Sequence, residues 1–168
     1  MRRALVLACL VVALLTPGLV VRGQDRAQDV SAVVVALAER ESAAFARAFN
    51  DRKFKDLAAL FTADADLEFL QGPSVEKLEY RMACGRDEIA SCIDTFCSTF
   101  PNAKITLTVR SARLIRPDLL IAEADFEIKG LPGDAGPIQG RAVTVRVLES
   151  GVWKIAAARG LVRTPGNR

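Results

Sequence analysis

The stretch from Lys104 to Lys129, KITLTVRSARLIRPDLLIAEADFEIK, decides the fold. Ile105, Leu107 and Val109 recur at every second position. Leu120, Ala122, Ala124, Phe126 and Ile128 do the same, while Glu123, Asp125 and Glu127 fall on the opposite side. A period of two belongs to strands with one covered face. The pattern continues in Val143, Val145 and Val147 of Arg141 to Glu149, and a Ser150-Gly151 turn leads into Val152 to Val162. The reading is a set of hairpin-connected antiparallel strands. Arg141, Lys154 and Arg146 are then placed to form cross-strand ion pairs with Glu123, Asp125 and Glu127 on the outer sheet face.

Upstream the period is helical. Val30, Val33, Val34, Leu37, Ala44, Phe45 and Ala48 share one stripe, with Asp29 or Ser31 available as a cap and Asn50-Asp51 as the stop. A short second helix, Arg52 to Phe61, turns Phe54, Leu57, Leu60 and Phe61 inward. Ala65 to Leu70 alternates as a strand does. Residues 71–84 read as a loop with a short strand. Gly85-Arg86-Asp87-Glu88 opens a third helix with Ile89, Cys92, Ile93, Phe96 and Phe100 inward, and Pro101 ends it. Helices first and a long antiparallel sheet afterwards make an α+β fold with helices on one sheet face.

The chain has 168 residues, enough for one domain with a real core, and 51% of them are hydrophobic, which excludes a disordered chain. It has no histidine. Serine or cysteine triads that use imidazole, and paired-histidine zinc sites, are therefore excluded. The net charge of +3 comes from Arg2, Arg3 and Arg22. Without them the body is neutral, which argues against nucleic acid as a partner.

Residues 1–23 read as an export signal: a basic start, an apolar run from Ala4 to Val21, a helix-breaking Pro17-Gly18 pair and small Gly23 before Gln24-Asp25. Residues 24–29 follow as a linker, 30–162 as the domain and 163–168 as a tail. The expected location is outside the cytoplasm, periplasmic or extracellular. An uncleaved leader, the competing reading, would make the protein membrane-anchored. Of Cys84, Cys92 and Cys97, the last two lie about 140° apart around a helix and should not bridge each other, whereas Cys84 could reach either. Buried small hydrophobes are the favoured reading for all three, with no metal site.

Four segments carry a resemblance to a known family. They are Ala58-Ala59-Leu60-Phe61-Thr62-Ala63-Asp64-Ala65-Asp66, Gly85-Arg86-Asp87-Glu88-Ile89, Arg116-Pro117-Asp118-Leu119-Leu120, and Gly151-Val152-Trp153-Lys154-Ile155-Ala156-Ala157-Ala158. In this order they resemble the NTF2-like, or SnoaL-like, superfamily, and most of all its SgcJ/EcaC (DUF4440) branch. The resemblance implies a cone: a curved antiparallel sheet wrapped around three N-terminal helices, open to a pocket. It implies a small apolar or weakly acidic ligand and a homodimer formed through the sheet. It also implies cofactor-independent proton transfer of the isomerase or cyclase kind, with a non-enzymatic association module as the alternative. Steroid-isomerase members carry a strand carboxylate and a helix tyrosine at positions occupied here by Phe69 and Ala44, so that activity is not expected.

Two charges stand out against this frame. Glu41 lies about 20° from Val30 and about 40° from Leu37 around the helix, inside the apolar stripe, where an unpaired carboxylate is costly. It is the candidate catalytic group, or else it reaches solvent at the rim. Arg159 follows Trp153, Ile155 and Ala157 at a period of two and is expected inward, where branch members often have histidine. It can anchor an acidic ligand or pair with Glu41. Paired, Glu41 would be a poor proton acceptor; alone among apolar walls it would suit acid–base work. Trp153, Phe69 and Leu67 are the expected apolar lining, and Tyr80 is either a pocket donor or a surface residue. The acidic run Asp64, Asp66 and Glu68 reads as a solvated face, and the glycine-rich 130–137 as a hairpin loop.

Overall fold

The computed structural model describes residues 17–72, 79–132 and 136–163, with 17–30, 71, 72 and 163 described by backbone only. Most of the expected leader, residues 1–16, and the tail residues 164–168 lie outside the described residues. Contacts divide the chain after Val33. Before that point the described residues form one stretch of helix; the sheet and the remaining helices belong to the unit from Val34 onward.

Helix α1 spans Pro17–Asn50 and includes residues 24–29, which the sequence suggested as a linker. Pro17 sits at its start, where a missing N–H removes no helical hydrogen bond. Among the described residues no helix is long and apolar enough to cross a membrane. From Val34 onward the covered stripe runs through Val34, Ala38, Ser42, Ala48 and Phe49. Helix α2 is Phe54–Ala59, and strand β1 begins at Phe61, so Phe61 enters the core from a strand rather than from a helix. Strand β2 (Glu79–Cys84) supplies the short strand expected within residues 71–84, of which 73–78 lie outside the described residues. Helix α3 is Arg86–Thr99; it buries Ile89, Ile93 and Cys97 and leaves Cys92 exposed.

Strands β3 (Lys104–Arg116), β4 (Leu119–Lys129), β5 (Ile138–Glu149) and β6 (Val152–Arg163) complete a six-stranded sheet of order β2-β1-β6-β5-β4-β3. Every neighbouring pair is antiparallel except β1 and β6, which run parallel. Strands β3 to β6 form the expected hairpin meander, and the parallel pairing joins β1 to its last strand.

Arg52 fixes the junction of α1, α3 and β3. Its guanidinium donates to the carbonyls of Pro101 and Ala103, both at 2.7 Å, to that of Phe49 at 3.1 Å and to Cys97 Sγ at 3.0 Å. Beside it the Asn50 side chain donates to the Ile105 carbonyl at 2.9 Å and accepts from the Ile105 N–H at 2.8 Å. The Asn50-Asp51 interruption seen in the sequence is thus a tie between the end of α1 and the start of β3.

The inner sheet face meets the helices through two apolar clusters. One gathers Phe49, Leu57, Phe61, Leu67, Ile89, Phe126 and Ile155, among others. The other holds Val34, Ala38, Leu120, Ala122 and Trp153. Phe69 and Phe126 meet edge to face at 6.4 Å. Their rings lie over Gly160 and Gly140, where an added Cβ would stand 2.4 Å from a ring carbon in each case. On β5 the inward residues are therefore Gly140, Ala142, Thr144 and Arg146, opposite Phe126, Ala124, Ala122 and Leu120. Val143, Val145 and Val147, the alternating apolar set of this strand, face outward with Glu123, Ile121 and Leu119. The aromatic rings need the small residues beneath them, and this sets the register against the valine pattern.

Candidate functional site

A second departure comes from β6. Val145 pairs with Ala157 and Arg146 with Ile155, so Ala156 is an extra residue with no partner on β5. Such a bulge reverses the alternation beyond it. Trp153 and Ile155 point inward before it; Ala158 is buried after it, and Arg159 points outward. The expected inward position of Arg159 is thereby corrected: a period of two holds only while each residue has a partner.

On the outer face Arg159 grips the acids of β1. Nη1 and Nη2 donate to Asp66 Oδ1 and Oδ2 at 2.6 and 3.0 Å, and Nε lies 2.8 Å from Glu68 Oε2. The Arg159 hydrogen bonds hold the Asp66 carboxyl below the usual carboxylate range despite an opposing desolvation. Asp66 and Glu68 lie on the outer face as expected, paired rather than merely solvated. Tyr80 is exposed beyond them, its hydroxyl donating to Met82 Sδ at 3.0 Å, which makes it a surface residue. The expected cross-strand ion pairs form for Arg141, with Glu123 at 3.0 Å and Asp125 at 3.1 Å. Lys154 pairs instead with Glu149 at 3.1 Å.

Arg146, expected among those outer pairs, is on the inner face and only 1% exposed. Its register partners Leu120 and Ile155 belong to the two different apolar clusters, so the residue stands between them in the sheet. Neither Nε nor Nη1 has a hydrogen-bond partner among the described residues. Burial pushes the guanidinium down to about 10, and the charge of Glu41 pulls it back up. At neutral pH it still carries its charge.

Glu41 lies on α1 between the residues that serve the two clusters, and its side chain is 13% exposed. It falls on the flank of the buried stripe rather than at its centre. Its Oε1 accepts from Arg40 Nε and Nη2 at 3.1 and 2.8 Å, and Arg40 itself is 70% exposed. The acid and base that share the inner side are thus Glu41 and Arg146, with Arg40 holding the carboxylate from outside. Trp153 and Leu67 are buried there, in different clusters, and Phe69 packs beside Leu67. The strand alternation of β4, carried across to β5, was the signal that could have found Arg146: it stands opposite Leu120 once the glycines are placed under the phenylalanines.

A depression of about 280 Å³ lies on the outer face, lined in part by Thr106, Thr108, Asp125, Glu127 and Gln139. Its acids are already engaged. Arg110 and then Arg141 hold the Asp125 carboxyl down by hydrogen bonds, and Lys129 and Gln139 do the same for Glu127. Cys84 and Cys92 are exposed free thiols and Cys97 a buried one, so only the last behaves as the small core hydrophobe expected of all three. Burial pushes the Cys97 thiol up, with Arg52 opposing.

No family model matches the chain, and no curated protein matches it. Solved structures do. A domain of unknown function with a cystatin-like fold from Nostoc punctiforme is 17% identical, with a TM-score of 0.63 and 79% of each chain covered. A ketosteroid isomerase-like protein from Erwinia carotovora atroseptica is 18% identical at a TM-score of 0.59, covering 78% of this chain and 97% of its own. An NTF-2 like protein of unknown function from Shewanella oneidensis is 12% identical at 0.57, covering 74% and 95%. Three matches over three quarters of the chain, at identities this low, speak to the backbone alone: the chain has the cystatin-like fold of NTF2-like proteins.

Proposed function

We propose that this protein binds a small, mostly apolar molecule between α1 and the inner face of the sheet, and that Glu41 moves a proton on it without a cofactor. The observation that carries the reading is a guanidinium, Arg146, buried within the electrostatic reach of Glu41 on a side otherwise built from Leu120, Ala122, Trp153, Val34 and Ala38. A fold stabilised by burial alone has no use for a guanidinium there. The Arg40 contact closes the Glu41 end, so a ligand enters by displacing Arg40, whose side chain is free to follow into solvent. The test is mass spectrometry of molecules that co-purify with the native protein, followed by binding and turnover with Glu41→Gln. Turnover should be lost with binding kept; a variant that behaves as the parent with every ligand found sinks the proton-transfer role.

The outer face favours a second reading, association with another copy. Leu70, Leu161 and Val143 stand near one another around Arg159, together with Met82 and Tyr80 on β2, and Leu161 is 50% exposed. Sedimentation should find a dimer that Leu161→Glu dissociates, and a monomeric parent would remove this reading. Export is proposed as well, on the leader pattern of residues 1–23; the mass of the mature protein decides it.

A further inference from the structure

We infer that Arg146 is the receptor for the anionic head of the ligand, which makes that ligand an apolar monocarboxylic acid. This deepens the proposed function and rests on its reading of the inner face as the binding side. Among the described residues the three N–H bonds on Nε and Nη1 have no acceptor, although the residue is 1% exposed. Buried guanidinium donors are normally all engaged, because an unmade bond to a charged group is expensive. Glu41, the acid whose charge is felt there among the described residues, is held through Oε1 by Arg40 instead. The site is therefore a donor set without its acceptor.

The surroundings restrict what that acceptor is. Leu120 and Ile155 flank Arg146 on the neighbouring strands, and both are buried apolar residues, so the body of the ligand must be apolar. One cation stands opposite one nearby acid. A carboxylate brings a single negative charge and planar oxygens that match a guanidinium. A phosphate monoester would bring nearly two charges beside Glu41, with a single buried cation to balance them. The volume of Arg146 could be filled by methionine without any open donor. A charge kept where an apolar residue would pack as well is what a binding site looks like and a purely structural core does not.

The only tryptophan of the chain, Trp153, is buried in the cluster that includes Leu120 and reports on this side directly. Decanoate and its uncharged methyl ester, titrated below their aggregation limits, are the probes, read by Trp153 fluorescence. The parent should bind decanoate at least tenfold more tightly than the ester. Arg146→Met should lose that preference while binding the ester as the parent does, and its thermal midpoint should rise. Arg146→Lys, which keeps the charge and guards against a misfolded methionine variant, should retain part of the preference. Equal binding of acid and ester by the parent, or a preference that survives in Arg146→Met, overturns the assignment of Arg146 and leaves the apolar site standing. Binding of neither probe, with the protein folded, removes the apolar site and this inference with it.

Discussion

Asp66 on β1 and Arg159 on β6, 93 residues apart in the chain, meet through two parallel hydrogen bonds of 2.6 and 3.0 Å on the outer face of the sheet. The contact crosses the parallel strand pair of β1 and β6, and Glu68 lies on the same guanidinium. Both partners remain partly exposed, so solvent screens the pair and its contribution is about 1 kcal/mol or less.

A pH dependence follows from this contact. Folding lowers the Asp66 carboxyl below its ordinary 3.8, with the Arg159 hydrogen bonds as the leading cause. Above 3.8 the carboxyl is ionised in both states and the contribution is complete; as pH falls through the lowered folded value it is lost. Asp66→Asn should therefore lower the urea midpoint slightly at neutral pH and flatten its decline below about pH 4. A decline as steep as the parent's would show that other carboxylates carry the acid sensitivity.

Removing Arg52 should destabilise the protein by about 2–3 kcal/mol, since several charged hydrogen bonds to carbonyls are lost together. The residue sits at φ 59 and ties α1 to the segment after α3, so Arg52→Gly should lose less than Arg52→Ala by relieving the backbone. Thiol labelling gives a second measure. In a Cys9→Ser background Cys84 and Cys92 should react quickly and Cys97 slowly, and Arg52→Ala should expose Cys97 to the reagent.

Gly140 and Gly160 should tolerate alanine unequally. At Gly140 the new Cβ would stand 2.3 Å from the Leu161 carbonyl oxygen as well as against Phe126; at Gly160 it would meet only the Phe69 ring. A ring can tilt, whereas a strand carbonyl cannot leave its ladder. Gly140→Ala should cost about 3 kcal/mol or more and Gly160→Ala about 1–2. Gly136→Ala, with nothing within 4 Å, should leave the thermal midpoint unchanged.

Replacing Asn50 should show how much the α1 terminus depends on β3. Asn50→Ala removes both hydrogen bonds to Ile105 and should lower stability by about 1–2 kcal/mol. Asn50→Asp keeps the acceptor for the Ile105 N–H but sets an anion against its carbonyl, and should fall no higher than the alanine variant in chemical denaturation.

Most of the fold was legible because it rests on periodicity. The inward set Leu120, Ala122, Ala124 and Phe126 stands as the alternation of β4 indicates, and Ile89, Ile93 and Phe96 serve the third helix as expected. One of the three expected basic partners was legible as well: Arg141 meets Glu123 and Asp125. What misled was parity. On β5 three valines look like a core face, yet the two phenylalanine rings claim the side where Gly140 and Ala142 leave room. On β6 the bulge at Ala156 moves Arg159 to the outside. Each error concerns one arginine, and together they exchange Arg159 for Arg146 beside Glu41. Local pattern supplies the elements; which face a residue occupies is set by pairing with a strand far away in the chain.

The unpaired Ala156 has a consequence for how this sheet can change. Excising that one residue would join Ile155, paired with Arg146, directly to Ala157, paired with Val145, and would leave Arg159 outside and Ala158 covered. Pairing Ala156 with Val145, a slip of one residue, would instead turn half a strand inside out and carry Arg159 to the helix side and Ala158 into water. Such a slip at this spot rewrites two surfaces in one event, whereas point changes rewrite them one residue at a time.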